Sequence, residues 1–411
     1  MVEQRRNTET TTNPVMYKIL SFALWLGSIA WAYAAQSKPP DYAPVWSQDI
    51  VPERNLSRTR KKVPSLAGVT FLDNERLIAY AVDRDLGQLS SRESPEVSSP
   101  FRLHAWVVDA NSGKMEAHKE WGTRVHDSAV QVTTGGVLVK TGGIVRLYSS
   151  DFAQARDLPL ALDPNRLFYT KVSASGKTIA VSWIVQREHG ASHVLSHVSV
   201  LDANTLKIRS SWDQYPPLYS AFSISDEQIS IRHRDVIAVT EFGNPNWSTI
   251  LDDPVPRRCL AGTPPPVLVA DRLVFAPTCE NLLLLSTSGA SYSLPLNDGD
   301  SDRATATAEC EPYNGMSKIA VTSDGRFVAL SVPAVKDKKH LLTETTRCLT
   351  AVRVAVYDLT LKKHVLTVDV DPLPKNDYDF ALSSDGSKLA ILNDRKVSVY
   401  TVPIQSSERG D

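Results

Sequence analysis

The chain has 411 residues, of which 42% are hydrophobic, and its formal net charge is −1. This near-neutral balance excludes the strongly basic domain of a nucleic-acid-binding protein, so we expect no nucleic-acid partner. The apolar content is sufficient for a packed core, and length alone would suggest two or three domains.

The N-terminal region has the pattern of an export signal. Residues 1–15 are polar, and we interpret them as disordered or as the product of an upstream start, with Met16 as the alternative start. Residues 19–30 form an almost uncharged apolar run. Such a run, when small residues follow it, is typical of a secretory signal peptide. We therefore predict a signal peptide over residues 1–34 and a secreted or periplasmic protein.

The predicted cleavage site lies between Ala34 and Ala35, because Ala32-Tyr33-Ala34 has the A-x-A form that signal peptidase recognises. On this interpretation the protein meets a membrane only transiently. The alternative is a retained membrane anchor, since residues 19–35 are close to the shortest apolar stretch that spans a bilayer.

Residues 35–64 form an extended leader that is rich in proline and charge. Within it, residues 43–51 are a candidate strand. The basic run at residues 58–62 is of the kind that is usually solvated, with an anionic partner as the alternative.

A strand–turn–strand–turn–strand pattern dominates the rest of the chain and is clearest at residues 382–400, LSSDGSKLAILNDRKVSVY. Asp385 and Gly386 are turn residues, because Asp accepts hydrogen bonds from nearby amides and Gly tolerates positive φ. The flanking apolar and β-branched residues favour strands. Weaker copies recur, and together the copies place seven turns near residues 73, 134, 175, 225, 271, 324 and 385.

Repeats of this length with about four short strands each are typical of β-propeller blades. The units resemble the degenerate WD40-like or YVTN-type propellers of secreted bacterial proteins. Two further segments, VDANSGK at residues 108–114 and LDANTLK at residues 201–207, resemble a turn that also occurs in the repeats of pyrroloquinoline-quinone (PQQ) enzymes. The Gly-His and Trp-Asp dipeptides of true WD40 repeats are missing. The resemblance implies a fold and maps no cofactor ligand, so no cofactor is predicted.

We therefore predict an all-β protein with a single seven-bladed propeller of four-stranded antiparallel blades over residues 65–404 and a polar tail over residues 405–411. Six blades would result if blade 2 or blade 4 is misassigned. The last blade shows three clear strands. We expect residues 43–51 to supply its missing outer strand, and residues 400–407 are the alternative.

The four cysteines are consistent with two disulfides in an oxidising compartment, and three pairings are possible. In the propeller implied by the resemblance, Cys259 and Cys310 lie in loops that enter blades 5 and 6, and Cys279 and Cys348 lie in loops between the second and third strands of the same blades. These loop types share one face of the ring. We therefore predict that Cys259 pairs with Cys279 and Cys310 with Cys348, with four free thiols as the alternative.

Three sets of side chains are candidates for other roles. His189, His193 and His197 have helical spacing, but Gly190 and the following β-rich run favour a polar hairpin over a metal site. Several carboxylates fall near predicted blade entries or loops, where they are either solvated or available to calcium: Asp83, Asp85, Glu309, Glu311, Asp377 and Asp379. Six tryptophans, about one per blade, are expected in core or inter-blade packing: Trp46, Trp106, Trp121, Trp183, Trp212 and Trp247.

No local catalytic motif such as Gly-x-Ser-x-Gly is present. The first functional hypothesis is a non-catalytic, monomeric binding or scaffold module that holds a protein or small-molecule ligand on a propeller face or at the central mouth. The alternative is a propeller enzyme, hydrolase, lactonase-like or quinoprotein-like, with a site at the central axis. A ring fold can bring catalytic groups together from separate blades, so a missing local motif leaves the second hypothesis open.

Overall fold

The computed structural model describes residues 42–50, 67–84, 101–123, 128–141, 143–162, 168–185, 194–215, 217–218, 222–233, 236–244, 246–252, 266–269, 272–275, 281–286, 291–295, 311–312, 318–339, 345–374 and 378–404. All regular structure within these ranges is β-strand. No helix in this part of the chain is long and apolar enough to cross a membrane.

The first three blades follow the leader strand β1 (Trp46–Asp49). Blade 1 comprises β2 (Ala67–Phe71), β3 (Arg76–Arg84), β4 (Phe101–Asp109) and β5 (Met115–Thr123). Blade 2 comprises β6 (Ala129–Thr133), β7 (Gly136–Thr141), β8 (Ile144–Tyr148) and β9 (Ala155–Asp157). Blade 3 comprises β10 (Phe168–Val172), β11 (Thr178–Val185), β12 (Leu195–Asp202) and β13 (Ile208–Gln214).

The remaining blades continue in chain order. Blade 4 comprises β14 (Phe222–Ile224), β15 (Gln228–His233), β16 (Val236–Glu241) and β17 (Ser248–Asp252). Blade 5 comprises β18 (Val267–Val269), β19 (Arg272–Phe275), β20 (Asn281–Ser286) and β21 (Ser291–Pro295). Blade 6 comprises β22 (Glu311–Pro312), β23 (Ile319–Val321), β24 (Phe327–Lys339), β25 (Thr345–Asp358) and β26 (Lys363–Asp369). Blade 7 comprises β27 (Tyr378–Leu382), β28 (Lys388–Asn393) and β29 (Lys396–Thr401), together with β1.

The described strands form seven antiparallel sheets whose inner strands make a closed ring. The inner strands β2, β6, β10, β14, β18, β23 and β27 each contact the next, and β27 contacts β2. The protein is therefore a β-propeller.

The prediction of uniform four-stranded blades is wrong, because only six of the described sheets have four strands. The sheet of blade 6 has five: β24 and β25 form a long hairpin, and the short strand β22 pairs with the far end of β25. The register places Pro312 opposite Cys348. Cys348 therefore lies within a strand, and its predicted position in a loop was also wrong.

The leader supplies the outer strand of blade 7. β1 pairs antiparallel with β29, so that Trp46 lies opposite Val399 and Asp49 opposite Lys396. Residues from the two ends of the propeller thus complete one sheet, and the alternative in which residues 400–407 do so does not occur.

The core consists of apolar layers between neighbouring blades. On each strand alternate residues face the blade before and the blade after, because strand side chains alternate between the two faces of a sheet. The largest fully buried side chains include Phe168, Phe222, Phe327 and Phe380, each at most 1% exposed. Each contributes about 1.5–3 kcal/mol through removal of apolar surface from water, so the layers hold the blades in fixed positions.

Candidate functional site

The described turns that follow the inner strands line one face of the ring, which we call the turn face. Its described turns are at residues 72–75, 134–135, 173–177, 225–227, 322–326 and 383–387. The chemistry of the 383–387 turn is as the sequence predicts: Gly386 has φ of 74° and Asp385 accepts a hydrogen bond from the Ser387 amide at 2.9 Å. Because these turns follow strands that pack side by side, they lie at the same end of their blades.

Hydrogen bonds connect the turns of neighbouring blades. The Thr134 amide donates to the Gly176 carbonyl oxygen at 2.9 Å, which joins blade 2 to blade 3. Between blades 7 and 1, the Ser384 hydroxyl donates to Asn74 Oδ1 at 2.6 Å and Lys388 Nζ to the Asn74 carbonyl oxygen at 2.6 Å. These contacts fix the turns of blades 2 and 3, and of blades 7 and 1, relative to one another.

Asp226 is a carboxylate on the turn face that accepts hydrogen bonds from several side chains of the preceding blade. Its Oδ1 accepts hydrogen bonds from three hydroxyls of blade 3, those of Ser173 at 2.8 Å, Ser175 at 2.7 Å and Thr178 at 3.1 Å. Arg209 Nη1 donates to the Asp226 backbone oxygen at 2.8 Å. The carboxylate is thus held in one orientation between blades 3 and 4.

A cavity of about 400 Å³ lies beside Asp226. Its wall comes from the turns of blades 3, 4 and 6 and from the end of β18 in blade 5: Ser173, Ala174, Ser175, Ser225, Asp226, Glu227, Gln228, Leu268, Val269 and Ser323. Four serines and two carboxylates line the cavity, and Leu268 and Val269 in its wall are only 0% and 5% exposed. This combination suits a ligand that has hydrogen-bond donors and a positive charge.

An ion pair across blades 6 and 7 accounts for Asp379, one of the predicted calcium ligands. Asp379 Oδ2 accepts a hydrogen bond from the Val69 amide at 2.9 Å, and Oδ1 pairs with Lys318 Nζ at 2.5 Å. The same Nζ donates to the Phe380 carbonyl oxygen at 2.8 Å. Asp379 therefore connects the inner strands of blades 7 and 1 with blade 6, and its negative charge is paired with the Lys318 ammonium group.

Buried titratable groups lie close to this ion pair. Burial and the charge of Asp379 raise the pKa of the Tyr80 phenol above its ordinary value. Burial and the charge of Lys318 lower the pKa of Lys171 on β10. Lys318 is therefore close enough to lower the pKa of Lys171, and Lys318 itself forms an ion pair with Asp379.

Of the other predicted carboxylates, only the backbones of Asp83 and Glu311 are described. The backbone of Asp83 lies in β3 opposite Arg102, and that of Glu311 lies in β22 opposite Leu349. Asp85, Glu309 and Asp377 lie outside the described residues. Within the described part of the chain, no group of three or more His, Cys, Asp or Glu side chains is arranged to hold a metal ion.

Of the three predicted histidines, His197 lies in β12, and His189 and His193 lie outside the described residues. His197 has two side-chain partners on β13: Nδ1 lies 2.7 Å from Asp213 Oδ1, and Nε2 lies 2.8 Å from Ser211 Oγ. A strand conformation at His197 agrees with the predicted polar hairpin. Sequence reasoning missed both partners, because they come from the next strand.

The tryptophans pack as predicted. All six contribute to or lie against the apolar layers between blades. Trp106 is only 5% exposed, and Trp46 Nε1 donates to the Ala110 carbonyl oxygen at 2.8 Å.

The predicted disulfides and cleavage site are not described by the structure. Cys259, Cys279, Cys310, Ala34 and Ala35 lie outside the described residues, and only the backbone of Cys348 is described. The pairings and the cleavage stay predictions.

The cavity is the feature that sequence reasoning did not find. Its turns near residues 175, 225 and 324 were recognised singly, but nothing in the local patterns indicated that Ser173 and Ser175 meet Asp226. The only available signal was the repeated Ser or Asp at turn positions.

Comparison with solved structures finds chains that align over most of this one. The C-terminal WD40 domain of Sif2 aligns with a TM-score of 0.43 and 11% identity, over 84% of this chain and 98% of that one. A chain of a mitotic checkpoint complex aligns with a TM-score of 0.47 and 9% identity, over 90% of this chain and 97% of that one. No protein-family model matches the sequence, and no curated protein matches it.

Proposed function

We propose that this protein is an exported, monomeric propeller that acts as a binding module and holds a cationic ligand, such as a lysine- or arginine-containing peptide segment, at the turn-face cavity. The observation that carries this proposal is the fixed Asp226 carboxylate beside a cavity lined by hydroxyls. An oriented carboxylate in a recessed site favours a positively charged hydrogen-bond donor.

The physical basis is pre-organisation. Asp226 is already oriented by three hydroxyls, so a ligand does not need to order it, and less free energy is lost on binding. Glu227 is exposed at the same turn and adds a second negative charge.

Export is supported by the apolar run and the A-x-A sequence near the N-terminus. An exported propeller with a rigid, acidic mouth would meet its ligand outside the cytoplasm.

A displayed library of random short peptides tests the proposal. We expect peptides with Lys or Arg to be enriched on the wild-type protein, and we expect Glu227→Lys to abolish their binding because it places a positive charge at the cavity. The matched control is Glu116→Lys, since Glu116 is an exposed carboxylate on β5, away from the cavity. Enrichment without basic residues, equal binding to the Glu227→Lys variant, or no enrichment at all would overturn the proposal.

A further inference from the structure

A serine, a histidine and an aspartate form a continuous hydrogen-bonded chain on the outer half of blade 3. His197 Nδ1 lies 2.7 Å from Asp213 Oδ1, and its Nε2 lies 2.8 Å from Ser211 Oγ. An ionised carboxylate only accepts, so the proton between Asp213 and His197 belongs to Nδ1. Nε2 is then free to accept the Ser211 hydroxyl proton.

The strand register explains how Ser211, His197 and Asp213 come to be hydrogen-bonded. His197 lies opposite Asp213, and Ser199 lies opposite Ser211, in the β12–β13 pair. Because residues two apart share one face of a strand, all four side chains lie on the same face. The imidazole bridges Asp213 and Ser211, and the Ser199 hydroxyl lies 2.7 Å from Ser211 Oγ.

The surroundings provide an apolar surface beside an accessible hydroxyl. The Trp183 ring lies 4.5 Å from the His197 ring, centroid to centroid, and shields one side of it. Leu195, 37% exposed, lies opposite Val185 on the same face. On the neighbouring blade 2 the outer strand β9 has only three residues. The Asp213 and His197 side chains remain 54% and 30% exposed.

We propose that Ser211 is a reactive nucleophile, with His197 as its general base and Asp213 as the residue that orients the imidazole, and that the site reacts with small esters that have an apolar acyl or aryl group. This arrangement of roles is the one by which serine hydrolases are recognised, irrespective of chain order. The site is separate from the turn-face cavity and independent of the function proposed for it.

The reaction needs no external oxidant or cofactor. Ser211 Oγ forms a bond to the carbonyl carbon of the ester while its proton moves to His197 Nε2. The carbon–oxygen bond to the leaving group then breaks, and the leaving alkoxide takes the proton from the imidazolium. Water, activated by the same imidazole, releases the acid and restores the Ser211 hydroxyl.

The test is covalent labelling with a fluorophosphonate probe, followed by peptide mass spectrometry. We expect the adduct on Ser211, and we expect Ser211→Ala to remove it. The matched control is Ser210→Ala, because Ser210 is the adjacent residue on the opposite face of β13 and should leave labelling unchanged. Circular dichroism of each variant checks folding.

The rate of fluorophosphonate labelling tests the roles of His197 and Asp213. His197→Gln keeps a polar side chain but removes the base, and general-base assistance is typically worth about 100-fold or more in rate. We expect a drop of that order, and a smaller drop for Asp213→Asn. Hydrolysis of p-nitrophenyl acetate should show the same order among the variants. Two results would overturn the proposal: no adduct on Ser211, or equal Ser211 labelling in the His197→Gln protein. Either would show that the hydrogen bonds among Ser211, His197 and Asp213 only connect the two strands.

Discussion

Single aspartates order the turns between the third and fourth strands of blades 1 and 3, the two segments that resemble a turn in the repeats of PQQ enzymes. Asp202 Oδ1 accepts hydrogen bonds from the Thr205 amide and hydroxyl, both at 2.8 Å, and Asp109 has the equivalent contacts with Ser112. These hydrogen bonds hold the pKa of both carboxyls below the ordinary value of 3.8. The turn residue and its chemistry were predictable, because donor and acceptor are three residues apart.

The lowered pKa of Asp202 predicts a dependence of stability on pH. Because the folded protein holds this pKa below that of the unfolded chain, the contribution is complete above the unfolded pKa and is lost as pH falls through the folded pKa. Asp202→Asn should lower the urea midpoint at pH 7, and the difference from wild type should shrink towards pH 2. Urea titrations across that range measure it, with Glu116→Gln as the control; a difference that does not change with pH would contradict the prediction.

At the scale of elements, the leader strand β1 closes the ring by pairing with the last strand of the chain's final blade. β1 pairs with β29, which is about 350 positions away in sequence, and its Trp46 ring lies against Gly113 of blade 1. Gly113 has φ of 75°, and an added Cβ would lie 3.0 Å from the Trp46 ring. Trp46 therefore bridges blade 7 and blade 1 at the point where the ring closes.

Removing the Trp46 ring should weaken this closure. We expect Trp46→Ala to lower the free energy of unfolding by roughly 2–3 kcal/mol, less than for a fully buried tryptophan because Trp46 is only partly buried. Trp46→Phe should cost about 1 kcal/mol through the lost hydrogen bond to Ala110. Chemical denaturation measures both. The control is Val45→Ala, since Val45 is 51% exposed; equal stability of Trp46→Ala and wild type would refute a closing role.

Blade 6 shows where element prediction was wrong. Pro333 and a lysine-rich run at residues 336–339 argue against a strand, because proline removes a ladder donor and charged residues have low strand propensity. Yet β24 continues through them, paired with β25 along its length. Pairing with β25 therefore outweighed the low strand propensity of these residues. No local sequence pattern indicated the fifth strand β22.

At the scale of the whole molecule, ring closure explains why the described strands form one domain. Each blade buries its faces against its two neighbours, so no blade stands alone and the sheet edges stay short.

The pairing of Pro312 with Cys348 bears on the predicted disulfide between Cys310 and Cys348. Cys310 precedes β22 by one residue in the sequence, so a bond to Cys348 would tie this strand to β25 and contribute about 3 kcal/mol.

Mass spectrometry of the protein from its own host tests export, disulfides and monomeric state together. The expected denatured mass is that of a chain beginning at Ala35 less four hydrogens, and native spectra should show one copy. Peptide mapping without reduction should link Cys310 to Cys348 and Cys259 to Cys279. An intact N-terminus would refute cleavage, and four free thiols would refute both disulfides.

The sequence by itself determined the strands, the turns and the repeat, because turn chemistry and two-residue alternation act between neighbours in the chain. Asp202 and Gly386 illustrate this, since their roles follow from residues within a few positions. Only the tertiary structure decided that Ser173 and Ser175 meet Asp226, that His197 lies between Ser211 and Asp213, and that β1 joins β29. Those contacts depend on strand register and on the closure of the ring, which set distances between residues that no local pattern connects.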